Sequence, residues 1–323
     1  MMADPVVHPA ADPAASPPVM DIQDRGIGDV VLAAWLAASA RAAGLAMRVN
    51  VRGHEALARA LGMTEAELSD ATGPSWTRTD GLGLKREYAA VAGGDNRSRF
   101  ALWADSLGLG ALPAVRPTPR LPAEARAWAE GEWTEASADG RSGRAVLLPQ
   151  AAWPVRQWPL AYFIDLADAL ERRGYTVILM GSRKDVVARH GRRWYAGFEL
   201  TRSAALLSAA DLVVANDSGP AHLGGVLGVQ TVALCGPTRG GTVFAHDPNI
   251  HPIAIAPSTL PCVGCHFDQR AGYRRACRSG GCRALFLLTP EEVLARMDAL
   301  DLGPELPAEL RMPALPTRRL TAP

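Results

Sequence analysis

The stretch with the most usable chemistry is Leu212-Val213-Val214-Ala215-Asn216-Asp217-Ser218-Gly219-Pro220-Ala221-His222. Its apolar, β-branched opening reads as a strand buried on both faces. The chain then turns through Asn216 to Pro220 and resumes as a small-residue helix from about Ala221. Asp217 or Ser218 can cap that helix, and Pro220 suits its first turn, where a missing N–H costs nothing. Gly219 leaves the backbone open to a close approach. A strand, a glycine turn and a helix N-terminus together form an anion site, with free N–H groups and the positive dipole end facing one point. A second apolar run, Gln230 to Cys235, ends in Gly236-Pro237-Thr238 and repeats the strand-to-loop transition. The pattern predicts a diphosphate cradle at the C-terminal edge of a parallel sheet. The same spacing also suits an ordinary connection that binds nothing.

Three further groups carry chemistry. Asp24-Arg25-Gly26-Ile27-Gly28-Asp29 follows a short strand near Val19 and opens an alanine-rich helix that carries Val30, Val31, Leu32, Trp35 and Leu36 and ends near Gly44. Gly26 and Gly28 at that turn suggest a second close backbone approach to a ligand. His222, one turn into its helix, can donate to a phosphate or sugar oxygen, or cap the turn locally. Cys262-Val263-Gly264-Cys265, Cys277 and Cys282 have spacings compatible with a four-thiolate tetrahedral metal site, or with reduced thiols in a local hairpin. A closed site of four thiolates has no open position, so its role would be structural. Cys235 lies in a predicted strand and reads as a small core residue.

Asp217-Ser-Gly-Pro-Ala-His-Leu followed by Leu227-Gly-Val-Gln-Thr-Val-Ala-Leu-Cys-Gly-Pro-Thr238 resembles the signature of family nine glycosyltransferases, the ADP-heptose lipopolysaccharide heptosyltransferases. Gly28-Asp29-Val-Val-Leu-Ala33 is similar to a second family motif, with Trp35 where the family usually has Pro. The resemblance covers most of the chain, most strongly Arg144 to Leu300. It implies an α/β GT-B architecture, two Rossmann-like domains facing across a cleft, with Asp29 as the general base. Arg156, in Arg-Gln-Trp-Pro, stands where the family has a phosphate-contacting Lys. The charge is kept, but a guanidinium grips phosphate bidentately. Asp185 falls near the family's acidic residue for the nucleotide ribose. Arg156, Asp185, Asp217, Ser218, Gly219 and His222 are thus the implied donor-binding set. Asp217 fits better as a cap or a sugar-hydroxyl acceptor than as a phosphate contact. Clustered cysteines occur at the same place in many members, and some autotransporter heptosyltransferases bind iron there.

The implied reaction moves a heptose or related sugar, with inversion, from an ADP-sugar to a hydroxyl of the lipopolysaccharide core. No Asp-x-Asp motif appears in the cleft segments, so the transfer is expected to need no cofactor, with a structural zinc or iron a candidate for the cysteine knuckle. Alternatives are a protein (autotransporter-type) heptosyltransferase, a nucleotide-sugar epimerase, and a non-catalytic scaffold that keeps the sugar-nucleotide fold.

The positioning elements follow from composition. The 323 residues suffice for two domains, at 48% hydrophobic content and near-zero mean hydropathy. Residues 1–18 read as a disordered tail without an export signal, 19–143 as the acceptor-side domain with its linker, 144–302 as the nucleotide-sugar domain, and 303–323 as a C-terminal tail. Strands and helices alternate from Arg144 onward, as in a parallel sheet. Asn96 to Gly108 reads as an amphipathic helix whose Arg97 and Arg99 face either an anionic acceptor or solvent. A net charge of +1 gives no field for nucleic acid. The expected location is cytoplasmic, with peripheral contact at the inner membrane where the glycolipid acceptor lies.

Overall fold

The computed structural model describes residues 17–22, 26–69, 76–78, 97–137, 141, 143–181, 193–197, 199–267, 277 and 280–302. Two parallel sheets are present among them. The first has three strands in the order β2-β1-β3: β1 (Val19–Asp21), β2 (Arg48–Asn50) and β3 (Trp76–Arg78). The second has six, ordered β6-β5-β4-β7-β8-β9. These are β4 (Gly143–Leu148), β5 (Tyr175–Gly181), β6 (Trp194–Ala196), β7 (Leu212–Asn216), β8 (Gln230–Leu234) and β9 (Ile250–Ile253). With β4 counted as the first strand, this is the 3-2-1-4-5-6 order of a doubly wound nucleotide-binding sheet.

Two of the described helices carry side-chain caps at their N-termini. In the first half, α1 (Ile27–Ala42), α2 (Glu55–Ala60) and α3 (Arg99–Ser106) follow one another. Ser98 caps α3 by accepting from the Ala101 amide at 3.2 Å. Next come α4 (Ala123–Ala136), α5 (Leu160–Arg172), α6 (Leu200–Ser208), α7 (Gly219–Val226), α8 (Gly240–Val243), α9 (Arg283–Leu287) and α10 (Pro290–Ala299). Thr289 caps α10 at the Glu292 amide, 3.3 Å away, with Pro290 at the first position.

Two features position the site. Every residue of α1 from Val30 to Ala40 is buried, because the helix is covered on all sides. One apolar core accordingly runs from Met20, Val31 and Trp35 into Val213, Ala221 and Leu223 of the six-stranded half. A second core fills the other face of the large sheet, around Trp158, Phe163 and Leu179. In addition, α4 lies against α6, where the Trp133 indole N–H donates to the Leu206 carbonyl at 3.2 Å.

Candidate functional site

In the six-stranded sheet the chain winds outward through β4, β5 and β6, then returns to β7 on the other side of β4. The crevice of such a sheet opens beyond the C-terminal ends of the strands that flank this reversal. The loop after β4 delivers Trp153 to Trp158, and the loop after β7 delivers Asp217 to Gly219. Trp158 staples the two loops together. Its amide donates to Asn216 Oδ1 at 2.8 Å, and its indole N–H donates to the Leu288 carbonyl at 2.6 Å.

Arg156 ends a short 3-10 turn, Pro154–Arg156. Its Nη1 lies 3.6 Å from Asp217 Oδ2, and its guanidinium sits 4.9 Å over the Trp153 ring. Asp217 Oδ2 also accepts from Thr238 Oγ1 at 2.5 Å. This corrects the expectation that Asp217 or Ser218 caps α7. Ser218 occupies the N-cap position without a side-chain cap bond, and its hydroxyl donates back to the Asn216 carbonyl at 3.1 Å. Asp217 is buried, and a buried carboxylate needs charged or hydrogen-bonded partners, so it orients Arg156 instead. The first-turn amides of α7 are left uncapped by side chains. Trp153 and Thr238 were not assigned roles from sequence, and only their places in the two loops hinted at them.

The first half contributes α1. A Cβ built on Gly219 would lie 2.8 Å from the Gly28 amide nitrogen and 2.9 Å from Ile27 Cβ. One built on Gly28 would lie 3.0 Å from His222 Cδ2. The N-termini of α1 and α7 therefore meet with only glycine between them. Asp29, half-buried in the first turn of α1, follows directly, its amide bonded to the Gly26 carbonyl at 2.9 Å. The structure thus gathers Gly28 and Asp29 with Gly219 and His222. Gly26 does not share this contact, since nothing lies within 4 Å of where its Cβ would be. Asp185 lies outside the described residues.

Behind the junction is an aromatic cluster. The His222 ring lies 4.6 Å from Phe244 and 6.3 Å from His246. His246 in turn stacks on Phe100 at 5.8 Å and stands edge-on to Trp35 at 5.3 Å. Burial holds His222 well below the usual imidazole range, reinforced by the charge of Arg99, by His246 and by Arg156. His246 is pushed down to about 4 by burial and then by Arg99. The two arginines that flank the Ser98 cap therefore divide. Arg97 pairs with Asp105 at the surface, whereas the charge of Arg99 is felt inside the cluster. Trp35 is a packing residue here, 1% exposed.

The cysteine knuckle sits on the loop after β8. The Gly264 amide donates to the Gly236 carbonyl at 3.0 Å, and the His266 amide donates to Pro237 at 2.8 Å. The His266 ring meets Trp153 at 5.7 Å, which links the knuckle to the Arg156 loop. The Cys265 thiol is pushed up to about 11 by burial and then by Cys282, Cys262 and Cys277, so the four sulfurs are neighbours. Among the described residues, however, no group of three or more such side chains is disposed to hold a metal ion. The tetrahedral set expected from the spacing is not formed. Cys262 stays exposed while Cys282 is buried, where its sulfur would lie 2.7 Å from a Cβ on Gly236. Cys235 is a buried core residue, as expected.

Two Rossmann-like halves that meet where the helices after β1 and β7 begin have the architecture of a GT-B fold. Solved structures share it. The E. coli ADP-heptose lipopolysaccharide heptosyltransferase II superposes with a TM-score of 0.55 at 17% identity, covering 88% of this chain and 98% of that one. The iron-containing dodecameric glycosyltransferase TibC of enterotoxigenic E. coli gives 0.60 at 16%, covering 88% and 76%. In sequence, residues 117–266 match the family model described as glycosyltransferase family 9 (heptosyltransferase). Lipopolysaccharide heptosyltransferase 1 of Pseudomonas aeruginosa is 30% identical over 191 residues, 53% of this chain and 51% of that protein. This stretch of the chain is similar to glycosyltransferase family 9. Its match spans about half the length of the curated relatives, 51% and 44% for two of them. Among the described residues, no helix is long and apolar enough to cross a membrane.

Proposed function

We propose that this chain is an inverting glycosyltransferase that moves a heptose, or a related sugar, from an ADP-sugar to a hydroxyl of the lipopolysaccharide core. The observation that carries the reading is the junction of α1 and α7, which sets Asp29 beside the uncapped turn at Ser218 and Gly219. The match to the family model and the names of the relatives suggest the substrate class.

The mechanism follows from the two ends of that junction. The Asp29 carboxylate takes the acceptor hydroxyl proton, a role worth typically ~10²–10⁴-fold. The acceptor oxygen then bonds to the anomeric carbon as the bond from that carbon to the ADP oxygen breaks on the opposite face. The negative charge that develops on the departing diphosphate is met by Arg156 and by the α7 amides, donors already oriented before reaction. Asp217 and Thr238 hold Arg156 in place for this. Asp185 would contact the ribose, and His222 a phosphate or sugar oxygen. The enzyme would work in the cytoplasm, peripherally at the inner membrane that holds its glycolipid acceptor.

A structural zinc or iron at the four-cysteine knuckle is proposed from the spacing of Cys262, Cys265, Cys277 and Cys282 alone, since the described side chains are not disposed to hold one. Less than about a tenth of an equivalent of zinc plus iron in protein purified without added metal rules that out.

A donor screen by mass spectrometry, ADP-heptose against UDP- and GDP-sugars, tests the substrate class. Asp29→Asn tests the chemistry. It should abolish transfer while ADP-sugar affinity stays within about twofold, and unchanged turnover would sink the base assignment.

A further inference from the structure

His246 has no part in the chemistry above, yet its setting calls for a ligand. It is 7% exposed, and among the described residues neither of its ring nitrogens has a hydrogen-bond partner. The same is true of Nδ1 of His222, 4% exposed, and of Nε1 of Trp35. Native proteins pair the great majority of buried polar atoms, because each one left alone keeps the full cost of its desolvation. Four such nitrogens lie around one run of ring contacts, Trp35 to His246 to His222.

The place is as telling as the count. His222 covers Gly28, and Trp35 lies on the helix whose first turn holds Asp29. His246 therefore touches both the helix with the proposed base and the ring beside the diphosphate cradle. A neutral imidazole offers one donor and one acceptor. Burial and the nearby charge of Arg99 keep both histidines neutral. Neutral donor and acceptor edges set among the aromatic faces of Trp35, Phe100 and Phe244 suit a sugar ring, whose hydroxyls both give and take hydrogen bonds. A diphosphate, which only accepts, would use the donor edges and leave the acceptor edges unmatched.

We propose that His246, together with His222, is a specificity-determining residue that reads the hydroxyls of the transferred sugar. This rests on the reading of the site as a sugar-nucleotide transferase. In the arrangement described here α1 and α7 are in contact, so the sugar reaches these nitrogens as the two helices part.

The deciding variant is His246→Phe, which keeps a ring of similar shape and removes both nitrogens. No hydrogen bond within the protein is lost, so its melting temperature should equal or exceed that of the parent. A fall of more than about 5 °C would mean the nitrogens are bonded internally and would overturn the proposal. Calorimetry with ADP and with ADP-heptose should give an unchanged ADP affinity. The preference in kcat/KM for ADP-heptose over ADP-glucose should fall about tenfold or more, because a site built to bond a hydroxyl discriminates through it. His246→Gln, which keeps a neutral donor and acceptor, should recover part of that preference. A Phe variant with the parental preference, or a Gln variant no better than Phe, overturns the assignment while leaving the transferase reading intact. A parent protein that binds neither ADP nor ADP-heptose overturns both.

Discussion

Gly28 and Gly219 meet backbone to backbone, close enough that a methyl group on Gly219 would lie 2.8 Å from the Gly28 nitrogen. The contact brings two helix N-termini, each carrying roughly +0.5 of an elementary charge, to one point. Like ends repel, so the junction favours an anion beside it, as a departing nucleoside diphosphate would be. The relationship also fixes how far Asp29 can stand from the cradle.

Gly219→Ala should therefore do more than an ordinary glycine replacement. Both the Gly28 nitrogen and Ile27 Cβ are too near the new methyl, and neither is the far end of a flexible side chain. The helices must separate, at a cost of about 1–3 kcal/mol for overpacking. Transfer should drop at least tenfold as Asp29 moves away. Gly241→Ala is the control, since nothing lies within 4 Å of its added methyl. It should change stability by no more than about 1 kcal/mol, in the direction of helix propensity. Melting curves and initial rates on both variants check this, and a Gly219 variant as active as the control would remove the contact from the mechanism.

What could be read from sequence was what depends on near neighbours. The strand before Asp217, the helix after Gly219, and the Thr289 cap with Pro290 behind it all rest on residues within a few positions of each other. Asp217 shows where local reading fails. Its place before a helix suggested a cap, but burial beside Arg156 and Thr238 gave it tertiary partners instead. His246 was invisible for a related reason. It sits in a loop without periodicity, and its meaning comes from Trp35 and Phe100 in the other half of the chain. The cysteine spacing suggested a tetrahedral set, but it could not foretell how the four sulfurs would be disposed about a point.

Arg156 can be tested apart from the chemistry. Arg156→Ala should raise the KM for the ADP-sugar about 10–100-fold, the scale of one lost charge-assisted contact. It should also lower stability, because Asp217 is left buried with its charge less well matched. Adding Asp217→Asn to that variant should restore most of the stability and none of the donor affinity. Arg156→Lys should fall between the parent and Ala, keeping charge but losing the bidentate grip. If the double variant regained donor affinity, Asp217 rather than Arg156 would be the group that controls binding.

The last expectation concerns acid. In the folded protein His246 takes up a proton only near pH 4, whereas an unfolded histidine does so near about 6.5. Between those values the unfolded chain binds more protons, so stability should fall as pH falls through the window. The shift amounts to roughly 3 kcal/mol once both limits are passed, an order-of-magnitude figure for a buried group. His222 works in the same direction, since it too is held well below its ordinary value by burial and by Arg99. His246→Phe has nothing to protonate and should lose less stability on acidification than the parent. The two should therefore diverge from about pH 6 down to pH 4 and run parallel above pH 7. Urea unfolding of both proteins across that range would show it, and parallel curves throughout would mean that His246 is protonated as readily in the folded chain as in the unfolded one.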